Sequence, residues 1–147
     1  AFKRGGPDRS RLTEVQLAPG FGTSALVPVG SAGALPPDPV AVDVAVANAA
    51  ANGLADRVTC VEAAGFAHPA LAAKTPYDLV FANILKGPLL DLAPAMAAHV
   101  KTSGYAILSG ILNGQADEVA AAYKRAGFML TARDELGEWT TLVLKRS

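Results

Sequence analysis

The sequence predicts an α/β domain built on a mostly parallel sheet that ends in an antiparallel hairpin. Three observations carry this. From about Asp38 onward, apolar runs of strand length alternate with segments of helical periodicity. Strands separated by helices run parallel and are covered on both faces. The last two apolar runs, about Phe128–Asp134 and Glu138–Lys145, are joined only through Gly137, which leaves no room for a crossover helix. They must therefore pair antiparallel. The last strand is expected to insert beside a strand over 105–111, with its "TLVL" covered on both faces.

Each element follows from local signals. Asp38-Pro39 offers an N-cap and a proline at the first helical position, and Asn52-Gly53 offers a left-handed stop. Between them, the valines of "VAVDVAVANAAA" alternate as in a strand, but its alanines, length and caps favour helix. Arg57–Glu62, "RVTCVE", reads as a strand, and 63–76 as a loop with one helical turn. Tyr77–Ala82 is the next strand. Leu89, Ala93, Met96 and Val100 then recur at helical spacing, giving a helix near 88–100, and Gly104 ends that unit. "YAILSGI", Tyr105–Ile111, is a strand. Asn113 is expected to cap a helix with Val119, Ala120 and Tyr123 inward and Asp117, Glu118, Lys124 and Arg125 outward, stopped by Gly127.

Residues 1–37 read differently. Six of the ten prolines lie in the first 39 residues. "LTEVQLA", Leu12–Ala18, can be read as a first strand. The glycines of "PGFGTSALVPVGSAGALPP" resemble a phosphate- or nucleotide-type turn, yet Pro28 and Gly30 interrupt the helix that should follow. No second strand is apparent before Asp38, and a low-complexity linker is an equal reading. An irregular N-terminal third is therefore expected.

A length of 147 residues suits one domain with a proper core. The chain is 51% hydrophobic with formal net charge zero, so charge gives no reason to expect nucleic-acid or membrane partners. Two His and a single Cys, Cys60, rule out a disulfide framework and argue against a metal site. No apolar run is long enough to span a bilayer, nothing at the start reads as a signal peptide, and a cytoplasmic location is the expectation.

Asn83 is the residue that raises a question. It stands where the apolar run Leu79-Val80-Phe81 should leave the core, immediately before a helical pattern. Ligands of open parallel sheets bind at the carboxyl ends of strands. Taken alone, an asparagine at the place of Asn83 is more often a helix cap or an Asx turn than a catalytic group. Gly20 and Gly22 fit an ordinary turn equally well. Cys60 reads as a small buried hydrophobe, Trp139 as a packing residue, Tyr77 as an edge anchor, and His68 and His99 have no partner pattern that would make them bases.

The strings "YDLVFANILKGPLLDLAPAMAAHV", "SGYAILSGILNGQADEVAAAYKRAGF" and "GEWTTLVLKR" resemble the C-terminal catalytic domain of PrmA-type methyltransferases, which modify large-subunit ribosomal protein eleven. "DPVAVDVAVANAAANGLADRV" fits the same family, and the resemblance covers about residues 38–146. It implies a class I S-adenosylmethionine-dependent methyltransferase fold, Rossmann-like, with degenerate first strands. It divides the chain into a partial cofactor-loop segment, 1–37, and a catalytic core, 38–147. It implies methylation of amino groups, the N-terminal amine and lysine side chains, of the ribosomal protein. It also gives Asn83 a role beside the methyl donor, its carbonyl accepting from the incoming amine. Gly20 and Gly22 align with the first two glycines of the family's cofactor loop.

The chain departs from the family pattern at three cofactor contacts. Ala18 replaces the acid before the glycines, and Ser24 the third glycine. Pro36 stands where the family holds the ribose with an aspartate, and Asp38 matches only the capping aspartate. Ala63, Ala64 and Gly65 follow the strand at 57–62, where Glu62 is the nearest carboxylate. Two functions from different classes follow: an S-adenosylmethionine-dependent protein methyltransferase, or an inactive methyltransferase-like domain that binds a partner. A nicotinamide oxidoreductase is disfavoured by the antiparallel end.

Overall fold

The computed structural model of the chain describes residues 25–29, 39–63 and 65–147. In order these form β1 (Ala25–Val29), α1 (Pro39–Ala51), β2 (Val58–Glu62), α2 (Pro69–Ala72), β3 (Tyr77–Asn83), α3 (Lys86–His99), β4 (Val100–Leu112), a 3-10 turn (Asn113–Gln115), α4 (Ala116–Arg125), β5 (Phe128–Leu136) and β6 (Trp139–Arg146). β1 and β2 pair in parallel, and a second sheet has the order β3-β4-β6-β5. β3 and β4 are parallel, while β6 runs antiparallel to both β4 and β5. The two last strands thus form the hairpin that the missing crossover requires, and β6 lies beside β4 as expected.

β1 corrects the sequence reading. A strand, not an irregular stretch, occupies Ala25–Val29, with Pro28 opposite Val61 of β2. Proline has no N–H to give a ladder, but among the described residues β1 pairs on one side only, and an edge position tolerates proline. The expected strand over Leu12–Ala18 lies outside the described residues.

The helical spacing after β3 sets the core. Leu89, Ala93, Met96 and Val100 are all buried, and with Leu108, Ile111, Val119, Tyr123, Phe128, Leu142 and Leu144 they form one cluster. Burying a side chain of this size contributes about 1.5–3 kcal/mol. β6 alternates buried Thr140, Leu142 and Leu144 with half-buried Thr141 and Val143. The buried row lies on the same face as Ala106, Leu108 and Ile111 of β4, where α3 and α4 pack. Among the described residues the expected cover on both faces is found on one. Among the described residues the other face stays partly open, with Tyr105, Leu112, Met129, Leu136 and Trp139 exposed.

β4 is longer than its paired part. Between Val100 and Tyr105 the register to β3 shifts, and Ser103 takes a positive φ of 65°. Regular pairing begins at Tyr105, where the apolar pattern places the strand. Gly53 and Gly137 end their elements with φ of 68° and 61°, as the turn signals require. Asn113 departs from its expected role. It opens the 3-10 turn rather than capping α4, and its side chain turns to the hairpin. The residue before α4 is Gln115, whose Oε1 accepts from the Leu112 backbone N–H at 3.2 Å. Among the described residues no helix is long and apolar enough to cross a membrane.

Candidate functional site

β3 and β4 are parallel, so Asn83 and Leu112 end on the same edge of the sheet. Ala82 is buried toward the helices, and alternation puts Asn83 on the open face, where it is exposed. It is not the cap of the helix that follows. The N-cap position of α3 is Leu85, which makes no side-chain capping bond, and the first helical N–H bonds run to backbone carbonyls, Leu89 N–H to Leu85 C=O at 3.1 Å among them. The amide is therefore not committed to capping its own helix.

Asn83 does not stand alone on that face. It is opposite Ser109 of β4. Thr141 of β6 donates to Ser109 Oγ at 3.5 Å, and Asp134 of β5 lies opposite Thr141. Small polar side chains thus cross all four strands at the height of Asn83. One step nearer the edge, Leu112, Trp139 and Leu136 stand opposite one another in a second, apolar row. Trp139 is 49% exposed and Leu136 81%, so the tryptophan is a rim residue and not the packing residue its surroundings in the sequence suggest. Ser109 escaped the sequence reading. The signal was its place in "LSGIL", two residues before the end of an apolar strand.

The other candidates have structural occupations. His68 Nδ1 accepts from Ala70 N–H at 3.1 Å and caps α2. His99 stacks on Phe66 at 4.3 Å and pairs through Nδ1 with the Ala95 carbonyl at 2.7 Å. Tyr77 donates to the Leu71 carbonyl at 2.7 Å, and burial pushes its hydroxyl pKa up. Cys60 lies half-buried on β2, and burial raises its thiol pKa. The helix-face charges pair outward: Lys86 with Glu118 at 2.9 Å, and Arg133 with Asp117 and Glu135, each at 2.7 Å. Glu62, exposed, is the last residue of β2, and Ala63 beside it is buried. Gly20, Gly22, Ala18 and Pro36 lie outside the described residues.

A mixed α/β core whose last strand runs antiparallel is the arrangement of the class I S-adenosylmethionine-dependent methyltransferase fold, which is Rossmann-like. Comparison with solved structures bears this out. The ribosomal protein L11 methylase of Lactobacillus delbrueckii subsp. bulgaricus matches with a TM-score of 0.67 and 29% identity, over 75% of this chain and 54% of that one. A fibrillarin pre-rRNA processing protein of Methanococcus jannaschii shares the fold alone, with a TM-score of 0.61 at 10% identity, over 74% of this chain and 53% of that one. The family model described as "Ribosomal protein L11 methyltransferase (PrmA)" matches residues 23–147, and the chain belongs to this family. Among its relatives, the ribosomal protein L11 methyltransferase of Brucella suis is 44% identical over 108 residues, 74% of this chain. That of a Chelativorans species is 48% identical over 109 residues, again 74% of this chain. The aligned part spans 38% of the length of each of these two relatives.

Proposed function

We propose that the chain carries the methyl-transfer centre of an S-adenosylmethionine-dependent protein methyltransferase. Its substrate is large-subunit ribosomal protein eleven, modified on amino groups: the N-terminal amine and lysine side chains. In this reading residues 1–37 are a partial cofactor-loop segment and 38–147 the catalytic core, working in the cytoplasm. The observation that carries it is Asn83, exposed at the end of β3 and not committed to capping α3.

The donor set fits the chemistry in one respect that matters. A neutral carboxamide at the strand end offers an acceptor oxygen to an amine without adding charge. Gly20 and Gly22 would allow close backbone approach to the cofactor, and Asn83 would lie beside its methyl group. The cofactor supplies an electrophilic methyl on a sulfonium. The amine must arrive neutral, because an ammonium has no lone pair to offer. Asn83 Oδ1 then accepts from an amine N–H and turns the lone pair toward the methyl carbon. Orientation of this kind supplies several kcal/mol of the barrier reduction.

The second reading, an inactive methyltransferase-like domain that binds a partner, is favoured by Ala18 and Pro36 standing where the resemblance expects acids. Calorimetric titration with S-adenosylmethionine, followed by transfer of a labelled methyl group to the ribosomal protein, separates the two. Binding and label on the amino groups support the enzyme. A titration without heat, with no label transferred, supports the inactive domain.

A further inference from the structure

β4 does not run straight past Asn83. Its pairing with β6 passes from Leu108↔Leu142 to Ile111↔Thr140, so Ser109 and Gly110 together oppose the single residue Thr141. This is a β-bulge, and bulges re-aim neighbouring groups. Gly110 sits in it with φ +78°. A Cβ built there would lie 2.7 Å from the Ile84 carbonyl oxygen, 2.9 Å from Asn83 Oδ1 and 3.2 Å from the Ile84 carbonyl carbon. The positive φ alone would explain a glycine. The approach to the Asn83 side chain is a separate fact, which the turn does not demand.

We propose that Gly110 is a positioning residue for Asn83. The bulge lays the bare backbone of β4 against the Asn83 carboxamide and so fixes where its oxygen stands. An asparagine carboxamide otherwise has a broad, roughly two-fold torsional preference, and an exposed one has little to hold it. Packing it against backbone removes that freedom before the amine arrives, which is preorganisation. The Ile84 carbonyl, part of the peptide that links Ile84 to Leu85, lies close to the same glycine. The functional half of this inference rests on the reading of Asn83 as the residue that orients the methyl-accepting amine; the structural half does not.

The test has a part independent of activity. Gly110→Ala is introduced into the wild type and into Asn83→Ala, and Tm is measured for all four chains. The expected result is a smaller fall in Tm in the Asn83→Ala background, where the carboxamide is gone. An equal fall in both backgrounds means that Gly110 serves only the backbone, and overturns the proposal. If Gly110→Ala does not fold in either background, the wild type decides by side-chain NMR. The Asn83 Nδ2 amide pair, identified by its disappearance in Asn83→Ala, is expected to be as ordered as the backbone, with S² about 0.85, and a value below about 0.6 overturns the proposal. In methyl transfer, Gly110→Ala is expected to lower kcat by about 10²-fold with the cofactor Kd little changed. Unchanged kcat overturns it. A wild type without turnover contradicts the proposed function instead, and leaves the Tm cycle and the NMR order to decide on Gly110.

Discussion

Asn113 Oδ1 accepts a hydrogen bond from Thr140 Oγ1 at 2.9 Å, joining the end of β4 to the start of β6. The same side chain donates through Nδ2 to the Gly137 carbonyl at 3.0 Å, and its backbone N–H donates to the Glu138 carbonyl at 3.0 Å. Thr140 is buried, so its hydroxyl loses its partner outright if Asn113 is shortened. Asn113→Ala is expected to cost about 2 kcal/mol, the range for a buried polar group left unsatisfied. Urea unfolding measures it, and a cost near zero would show that the hairpin does not depend on this tether.

Tyr123 presents the opposite case. Its ring is fully buried against Phe128 at 5.7 Å, yet its hydroxyl has no partner among the described residues. Burial pushes its pKa well above the usual phenol range. Removing the hydroxyl removes the desolvation cost and keeps the packing. Tyr123→Phe is expected to stabilise by about 1 kcal/mol, read as a rise in the urea midpoint with unchanged m. A clear fall in midpoint would mean that the hydroxyl is satisfied in solution.

Cys60 gives a prediction with pH. Its raised thiol pKa means less thiolate at neutral pH than in free cysteine. Alkylation of the folded chain at pH 7–8 is expected to be slower than that of the urea-unfolded chain. Because the folded state holds this proton more tightly, raising the pH through the ordinary thiol range lowers stability. Equal alkylation rates in the two states would contradict the burial.

Much of this was legible in the sequence because the signals are local and periodic. The spacing of Leu89, Ala93, Met96 and Val100 placed α3 on the sheet, and the short link at Gly137 forced the antiparallel end. β1 was not legible, since Pro28 reads as a breaker unless its place opposite Val61 of β2 is known. Asn113 was misread for a chemical reason: the asparagine that caps a helix and the one that ties a hairpin use the same groups. The position of Asn83 could be read from the end of an apolar run. Its neighbours Ser109 and Gly110 could not, because they depend on strand register and on a bulge.

The central claim is that Asn83 orients the amine rather than supporting the fold. Since Leu85, not Asn83, occupies the N-cap of α3, Asn83→Ala is expected to change stability by no more than about 0.5 kcal/mol. The most direct measurement is kcat for methyl transfer to the ribosomal protein, taken for wild type and Asn83→Ala beside calorimetric titration of each with S-adenosylmethionine. The expected result is binding by both chains and a kcat at least about 10²-fold lower in the variant. Equal kcat values in the two chains would contradict it.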